Sequence, residues 1–396
     1  MPRSRLFAER YSGHGAIFAL RKEAFLLIQS LERQEGPSPH RQATTQEPGK
    51  NVFFSPVSIS TAFALLAPGS RDTSQAQVLE GLAFNLTNIQ EEEIHDGFRH
   101  LLLLLNRPGS QVQLCMGNAL FMEKHLKPLK TFLKDIKKLY KGKVVSSYFQ
   151  NSTKAKKEVN DHIKNKTHGN IKQILKDLDP NTVMGTHKDY FHVNAKTSAE
   201  VMMTRDGFCK TYSDRKLSCE VVQIPYKGDV AALFILPNEG KMKQLEDALT
   251  KDTVSKWEKS LERWRIEVYI PKLLISGTYD LKKMFMNLGV TTGVFSDQAD
   301  LSGISGKADV KVSKAAHKAL LKIHENVTEA AAVTGRDLLP HSVPPVVKFS
   351  CPFLLLIVDQ YTQSILFMGK IVNPTENDWL LLIADLCRSS DDTAML

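Results

Sequence analysis

The chain has 396 residues, of which 42% are hydrophobic and 24% charged, so it can bury a large core and its composition does not indicate disorder. Its net charge of +9 favours acidic partners in general. No apolar run reaches the roughly 18 residues that a membrane-spanning helix needs, and the five cysteines lack the CxxC spacing of a zinc site.

The first half of the chain shows helical patterns. The segment "SPVSISTAFALLAPG" (55–69) begins with Ser-Pro and ends at Pro-Gly, as capped helices do. The segment "QEEEIHDGFRHLLLLLNRPG" (90–109) is acidic at its start, where the helix dipole favours negative charge, and it also stops at Pro-Gly. Both segments are predicted to be helices.

A lysine-rich stretch follows, from Lys124 to Lys143. Apolar residues recur in it at helical spacing, which predicts one amphipathic helix with a lysine face. This face is either a solvated helix surface or a binding site for a heparin-like polyanion. Nucleic acid is not expected as a partner, because no recognised nucleic-acid module accompanies the lysines. The apolar residues are Leu129, Phe132, Leu133, Ile136 and Tyr140, and the candidate polyanion ligands are Lys127, Lys130, Lys134, Lys137, Lys138 and Lys141.

From about Glu220 onward, short apolar segments bounded by Gly, Pro or Asn predict strands. Two helix-like pieces, "MKQLEDAL" and "VSKWEKSLERW", lie between them. A helical first half with strand-rich later segments predicts an α+β fold with a mixed or antiparallel sheet. The strand segments are "EVVQIPY", "VAALFILP", "RIEVYIPKLLIS", "PVVKFSCPFLLLIVDQ" and "SILFMGKIV".

The motifs of common catalytic sites are missing from the sequence. It contains no HExxH, no GxGxxG after a strand, no Walker loop and no GxSxG elbow. The twelve histidines are scattered, and His317, in the apolar stretch "KAAHKALLKI", is predicted to be a core histidine. The sequence therefore predicts a protein that is not an enzyme and needs no cofactor or metal.

Many segments, in order, resemble the serpin family, and most closely its alpha-1-antitrypsin-like branch. The resemblance covers Asn51 to Asn377. It implies an α+β fold with a main sheet, a second packed sheet, about eight or nine helices and an exposed reactive-centre loop. It also implies a secreted, monomeric suicide-substrate inhibitor of extracellular serine proteases that does not enter membranes. The segments include "NVFFSPVSISTAFALLAPGSRDTSQAQVLEGLAFNLT", "FLKDIKKLY", "PKLLISGTYDL", "ADLSGIS", "VSKAAHKALL", "VTEAAAV" and "PFLLLIVDQYTQSILFMGKIVNPTEN".

The resemblance places the reactive-centre loop over "NVTEAAAVTGRDLLPHSVPP" (326–345). After cleavage, the N-terminal half of such a loop inserts into the main sheet and the protease is trapped as an acyl-enzyme. Small side chains suit this insertion, because each must enter a packed sheet. Alignment with the family gives His341–Ser342 as the reactive bond. The hinge residues are Glu325, Val327, Thr328, Glu329, Ala330, Ala331, Ala332 and Val333.

Other bonds in the loop remain open as cleavage sites, since few serine proteases cut efficiently after histidine. Cleavage after Leu338 or Leu339 would suit a chymotrypsin-like or elastase-like protease. Cleavage after Arg336 would suit a trypsin-like protease.

Two departures from the family pattern make inhibition by this chain doubtful. Val327 stands where the hinge has a glycine, and it lies in the sequon Asn326-Val327-Thr328, whose glycan would hinder insertion. After "LDPNTVM" (178–184), about twenty residues that form a central strand beside the insertion gap are absent, a loss comparable with the ~5–15 kcal/mol stability of a domain. The segment "TSAEVMMTRDGF" (197–208) is the nearest candidate replacement, although its apolar content is low.

Further site residues follow from the resemblance. Ser55, Ser58 and His317 would form the hydrogen-bonded shutter cluster that controls opening of the main sheet. Residues 1–15 are expected to be an atypical N-terminal segment without a clear signal peptide, 16–377 the serpin domain and 378–396 an atypical tail. In a secreted protein, glycosylation is expected at Asn85, Asn151, Asn165 and Asn326.

Two alternatives to an inhibitor remain open. A non-inhibitory serpin could bind a small ligand or a polyanion, and relatives carry hormones in a region comparable with that around Trp257 and Trp264. The chain could also be an inactive splice or pseudogene-like product.

Overall fold

The computed structural model describes residues 50–82, 84, 86–87, 89–106, 119–149, 154, 157–158, 185–193, 198–226, 229–282, 285, 294–307, 310, 312, 315–323 and 344–375. These residues form seven α-helices and thirteen strands. The helices are α1 (Pro56–Ala64), α2 (Asp72–Gly81), α3 (Glu91–Leu105), α4 (Lys130–Tyr140), α5 (Met242–Ala248), α6 (Lys251–Ser260) and α7 (Ser302–Ser305). The strands are β1 (Val52–Phe54), β2 (Ala119–Glu123), β3 (Lys143–Ser147), β4 (Gly185–His192), β5 (Ser198–Asp214), β6 (Cys219–Pro225), β7 (Val230–Pro237), β8 (Glu262–Pro271), β9 (Leu273–Asp280), β10 (Ala316–Ile323), β11 (Val346–Lys348), β12 (Phe353–Asp359) and β13 (Ser364–Ile371).

The two helices predicted in the first half are present, and local chemistry sets where they begin. Ser55 caps α1 by accepting a hydrogen bond from the backbone N–H of Ser58, and Pro56 occupies the first helical position. Helix α3 begins with a capping box in which Gln90 and Glu93 exchange side-chain and backbone hydrogen bonds. The prediction of an α+β fold is confirmed.

A nine-stranded sheet contains most of the predicted strands. Its order is β1-β13-β12-β7-β6-β5-β8-β11, and β4 also pairs with β5. All seven residues of β12 are buried, which explains why its first six residues are continuously apolar instead of alternating. The side chains of β7 and β13 are nearly all buried as well. The centre of the core therefore lies along these three adjacent strands.

Strands begin earlier in the chain than the sequence predicted. The long strand β5 pairs with β4, β6 and β8, so its hydrogen bonds are formed with distant segments that propensity does not report. Most of "TSAEVMMTRDGF" lies in β5. The segment therefore belongs to the nine-stranded sheet and does not replace the missing strand, which corrects that expectation. The predicted helix "VSKWEKSLERW" ends at Ser260, because Glu262, Arg263 and Trp264 pair with β5 as part of β8.

Two small sheets stand apart from the nine-stranded sheet. Strands β2 and β3 are parallel and are connected through α4, whereas β9 and β10 form an antiparallel pair. Among the described residues, each of these four strands has one strand partner. Strand β10 ends at Ile323, two residues before the predicted hinge at Glu325. The predicted missing segment would follow β3 in the chain and precede β4.

The β9–β10 pair approaches the nine-stranded sheet closely at one glycine. A Cβ atom placed on Gly277 of β9 would lie 2.0 Å from the carbonyl oxygen of Phe53 in β1. Such a contact is impossible, and the obstacle is backbone, which cannot rotate away as a side chain can. The contact between β9 and β1 therefore requires glycine at this position.

We expect Gly277→Ala to lower the free energy of unfolding by at least about 2 kcal/mol, because the added methyl group must push β9 away from β1. Denaturant titration followed by circular dichroism measures this change. The control is Gly240→Ala, where the added Cβ meets no atom within 4 Å and only the positive φ of +72° opposes alanine, at a cost of about 1 kcal/mol. Equal losses in the two variants would contradict the close approach.

Candidate functional site

Strand β1 is joined to the β9–β10 pair by two side chains. The backbone N–H of Phe53 donates to the Tyr279 hydroxyl (2.9 Å), and the backbone N–H of Ser55 donates to Nε2 of His317 (3.0 Å). Tyr279 and His317 lie directly opposite each other in β9 and β10. One cross-strand pair therefore satisfies alternate N–H groups along the side of β1 that faces away from β13.

The structure brings together the three residues of the predicted shutter cluster. Ser55 Oγ accepts from the N–H of Ser58 (3.3 Å), while the N–H of Ser55 donates to His317. Ser55 thus connects the first turn of α1 to β10, the strand that ends just before the predicted hinge. A role for this cluster in opening a sheet stays a prediction.

His317 is neutral in the folded protein. Because a backbone N–H can only donate, Nε2 must be the unprotonated nitrogen of the ring. Burial lowers the pKa of His317 from its ordinary value of 6.5 to about 3. The prediction of a buried core histidine is therefore confirmed in its placement, and the side chain is an acceptor throughout the physiological pH range.

The lysine-rich stretch is not one helix, which corrects the prediction for 124–143. Helix α4 covers only Lys130–Tyr140, with β2 ending at Glu123 and β3 beginning at Lys143. Pro128 disfavours helix in the residue before it, and Lys141 adopts the left-handed conformation (φ 50°) that ends the helix before Gly142. The predicted apolar face is also narrower, since Phe132, Ile136 and Tyr140 are buried whereas Leu129 and Leu133 are more than one-third exposed.

A buried polar chain attaches α4 to α3. Tyr140 hydrogen-bonds to Nδ1 of His95, and Nε2 of His95 bonds to Glu91 Oε1 (2.9 Å), which also accepts from the Gln75 side chain (2.7 Å). Because the carboxylate can only accept, Nε2 of His95 carries a proton. Burial and the negative charge of Glu91 raise the pKa of Tyr140 well above its ordinary value. The buried side of α4 is therefore held by these hydrogen bonds as well as by packing.

The opposite side of α4 carries exposed positive charge. The eight lysines from Lys124 to Lys143 are all exposed, and none takes part in the ion pairs formed between described residues. We call them the lysine surface. They are Lys124, Lys127, Lys130, Lys134, Lys137, Lys138, Lys141 and Lys143.

The structure does not bring the two tryptophans of the small-ligand hypothesis into one environment. Trp257 is fully buried, and its Nε1–H donates to Asp214 Oδ2 (2.9 Å). Burial alone would raise the pKa of Asp214, but hydrogen bonds from Lys256 and Trp257 outweigh it and hold that pKa below the ordinary value. Trp264 is 55% exposed on β8. Trp257 therefore packs in the core and is not available as part of a ligand cage.

Several predicted site residues lie outside the described residues. They are the hinge from Glu325 to Val333, the bond His341–Ser342, the four sequon asparagines Asn85, Asn151, Asn165 and Asn326, and the two terminal segments. In the part of the chain that the structure describes, no group of three or more His, Cys, Asp or Glu residues could hold a metal ion. Within the same residues, no helix is both long and apolar enough to cross a bilayer.

The neutrality of His317 predicts a pH dependence of stability. The unfolded side chain binds a proton below pH 6.5, whereas the folded one does so only near pH 3, so its contribution is present above pH 6.5 and is lost as the pH falls toward 3. The loss is at most about 5 kcal/mol. Denaturant titrations from pH 7 to pH 4 measure it.

The matched variant is His317→Gln, whose amide oxygen can accept the Ser55 N–H but does not titrate. Its free energy of unfolding should fall less steeply between pH 6.5 and pH 4 than that of the wild type. Parallel pH profiles would show that His317 is not the group responsible.

Comparison with known proteins identifies the family. The family model described as "Serpin (serine protease inhibitor)" matches residues 40–185 and 184–374. The chain is 43% identical to an alpha-1-antiproteinase of Callosciurus caniceps, over 85% of this chain and 86% of that protein. It is 45% identical to alpha-1-antiproteinase 2 of Equus caballus, over 86% and 85%. The structure of human thyroxine-binding globulin complexed with thyroxine matches with a TM-score of 0.80 and 36% identity, covering 92% of this chain and all of that one.

These matches also support the prediction that a segment of the family pattern is absent from this chain. The two matched blocks meet at residues 184–185, directly after "LDPNTVM". The alignment with the Callosciurus protein runs over 357 positions, whereas 85% of 396 residues is about 337, so about twenty aligned positions have no residue in this chain. The chain belongs to the serpin family of serine protease inhibitors, in its alpha-1-antitrypsin-like branch.

Proposed function

We propose that this chain presents residues 325–345 to an extracellular serine protease as a pseudo-substrate and is cleaved there more often than it traps the enzyme. It would be a monomer that descends from protease inhibitors, without catalytic activity or a cofactor of its own. The observation that carries the proposal is the position of β10, which ends just before the hinge and has β9 as its one strand partner among the described residues.

Trapping depends on how well the cleaved loop is held as a strand. A strand inserted between two others forms ladder hydrogen bonds on both sides, each worth about 1 kcal/mol net. The strand that would stand on the far side of the inserted loop falls in the missing segment. A loop bound to β10 alone would form about half of those bonds, and Val327 would resist the turn that begins the insertion. A protease held by the weaker insertion has more time to complete hydrolysis.

The remaining expectations from the sequence form part of the same proposal. The relatives are named alpha-1-antiproteinases, which supports an extracellular protease as the partner and secretion as the location of this chain. Glycans on Asn85, Asn151 and Asn165 would accompany secretion, and a glycan on Asn326 would further hinder insertion of the loop. The serpin domain would extend over 16–377.

Incubating the purified chain with chymotrypsin-like, elastase-like and trypsin-like proteases tests the proposal. We expect cleavage within 336–342 and little covalent complex on denaturing gels. Mass spectrometry of the released C-terminal fragment distinguishes cleavage after His341, Leu339, Leu338 or Arg336. Reverting Val327→Gly should raise the fraction of complex only modestly, because the missing strand remains. Complex formation near one protease per inhibitor would contradict substrate behaviour, and resistance to all three proteases would contradict the pseudo-substrate role.

A second function, binding of a heparin-like polyanion, is favoured by the lysine surface. Its eight exposed lysines lie within twenty residues of sequence and lack ion-pair partners among the described residues, so their charge is available to an anionic chain. The alternative is a solvated surface in which Lys137 and Lys138 only complement the dipole at the end of α4.

Heparin chromatography decides between these two readings of the lysine surface. We expect the wild type to elute above physiological salt of about 0.15 M, and the triple variant Lys134→Ala, Lys137→Ala, Lys138→Ala to elute at clearly lower salt. The matched control replaces the exposed lysines Lys216, Lys241 and Lys259 with alanine, which removes the same charge elsewhere. Elution of the wild type below physiological salt, or equal shifts in both triple variants, would leave only the solvated surface.

A further inference from the structure

The strand β11 follows the predicted loop directly. The described chain resumes at Pro344, and Val346 opens β11 only four residues after Ser342. Four residues of extended chain reach at most about 14 Å, so Val346 lies within that distance of the predicted reactive bond. A protease is far larger than this distance. A protease engaged at that bond is therefore within reach of the surface around β11.

Three strands converge at this surface. Strand β11 runs parallel to β8, with Val346 opposite Glu267 and Lys348 opposite Tyr269. The end of β4 reaches the same place, because Lys348 Nζ forms an ion pair with Asp189 Oδ2 (2.5 Å). The backbone N–H of His192 also donates to the carbonyl oxygen of Ser350 (2.7 Å). The surface is thus fixed by contacts of β11 and Ser350 with β8 and with β4.

Each charged group at this surface has a hydrogen-bond or ion-pair partner. Asp189 pairs with Lys348, and Glu267 accepts a hydrogen bond from the Tyr269 hydroxyl, which raises the pKa of that phenol. Asp189 Oδ1 also accepts a hydrogen bond from the backbone N–H of Tyr190 (2.7 Å), which restrains the backbone at that residue. The ion pair balances the charge of Asp189, whereas Glu267 keeps its negative charge and is held in position by the Tyr269 hydroxyl.

Beside the partly exposed Lys348, two uncharged side chains of this surface are also exposed. The Tyr190 side chain is 59% exposed and Val346 is 54% exposed. Large aromatic side chains on rigid strands lose little entropy on binding, and they are enriched among residues that dominate the energy of protein interfaces. We call Asp189, Tyr190, Glu267, Val346 and Lys348 the loop-exit patch.

We propose that the loop-exit patch is a second contact for the protease, outside the protease's active-site cleft, and that Tyr190 is its principal residue. The inference rests on the proposed function, since it requires a protease bound at the loop. The area on the protease that faces Tyr190 and Val346 would be apolar. The patch would then raise the rate at which the protease engages the loop and contribute to the choice among proteases, beyond what residues 336–342 specify.

The test uses a protease from the panel that cleaves the wild-type chain. We expect Tyr190→Ala to lower kcat/KM for cleavage of the intact protein about threefold to tenfold, which is the range for loss of an interface residue worth up to about 1.4 kcal/mol. The control is Tyr361→Ala, an equally exposed tyrosine (62%) in the turn between β12 and β13. The protease should cleave this variant at the wild-type rate. A synthetic peptide of residues 325–348 lacks β4 and β8, and should be cleaved less efficiently than the intact protein.

The outcomes separate this inference from the proposed function. If no protease cleaves the chain in 336–342, the proposed function fails first. If cleavage occurs but Tyr190→Ala and Tyr361→Ala behave alike, only the second contact is overturned. Because the Tyr190 side chain is uncharged, the effect of Tyr190→Ala should persist from 0.05 to 0.5 M salt; an effect that disappears at high salt overturns the apolar contact. A wild type that is dimeric while Tyr190→Ala is monomeric, at equal cleavage rates, makes the patch a self-association surface instead.

Discussion

The arrangement of the described sheets depends on two hydrogen bonds to strand β1. Tyr279 and His317 accept the N–H groups of Phe53 and Ser55, which would otherwise be buried without a partner at a cost of about 1–3 kcal/mol each. We call these two hydrogen bonds between β1 and the β9–β10 pair the joint. Three conditions must hold together for it to form. Gly277 must admit the Phe53 carbonyl, Tyr279 and His317 must stand in register across β9 and β10, and His317 must stay neutral. The joint also closes an edge that would otherwise remain open to another strand.

The same joint connects the start of α1 with the strand beside the predicted loop. Ser55 caps the helix with its side chain and bonds to His317 with its backbone, so one residue contacts both the first turn of α1 and β10. In a complete serpin, the main sheet would be a continuous set of strands. In this chain, the described structure has two separate pairs, β2–β3 and β9–β10, with the missing segment falling between them in sequence. Among the described residues, β10 is therefore held by its pairing with β9 and by the bond from His317 to Ser55.

Elements whose bounds are set by neighbouring residues could be predicted from the sequence, whereas those set by pairing with distant segments could not. The starts of α1 and α3 were predicted because Ser55, Pro56 and Glu93 act on their own first turns. The strands β7, β12 and β13 were predicted from apolar runs. Helix α4 was predicted too long because lysines continue on both sides of it, although Pro128 and Lys141 set its ends. Strand β4 was missed, and the place of β5 in the sheet and the pairing of Tyr279 with His317 could not be predicted, because all three depend on register with distant segments. The loop and its reactive bond came from resemblance alone.

The sheet pairing that places β1 beside β13 has a consequence for biosynthesis. The Asn51 side chain hydrogen-bonds to the backbone of Asn373, 322 residues further along the chain. At about 5–20 residues per second, a ribosome needs roughly 15–65 s to make that intervening length. Until β13 is made, β1 lacks its partner strand in the sheet, so its apolar residues are exposed to chaperones and to other nascent chains for most of this interval. Native topology of this kind makes folding slow and largely post-translational, and it places the risk of aggregation at the beginning of the chain's life.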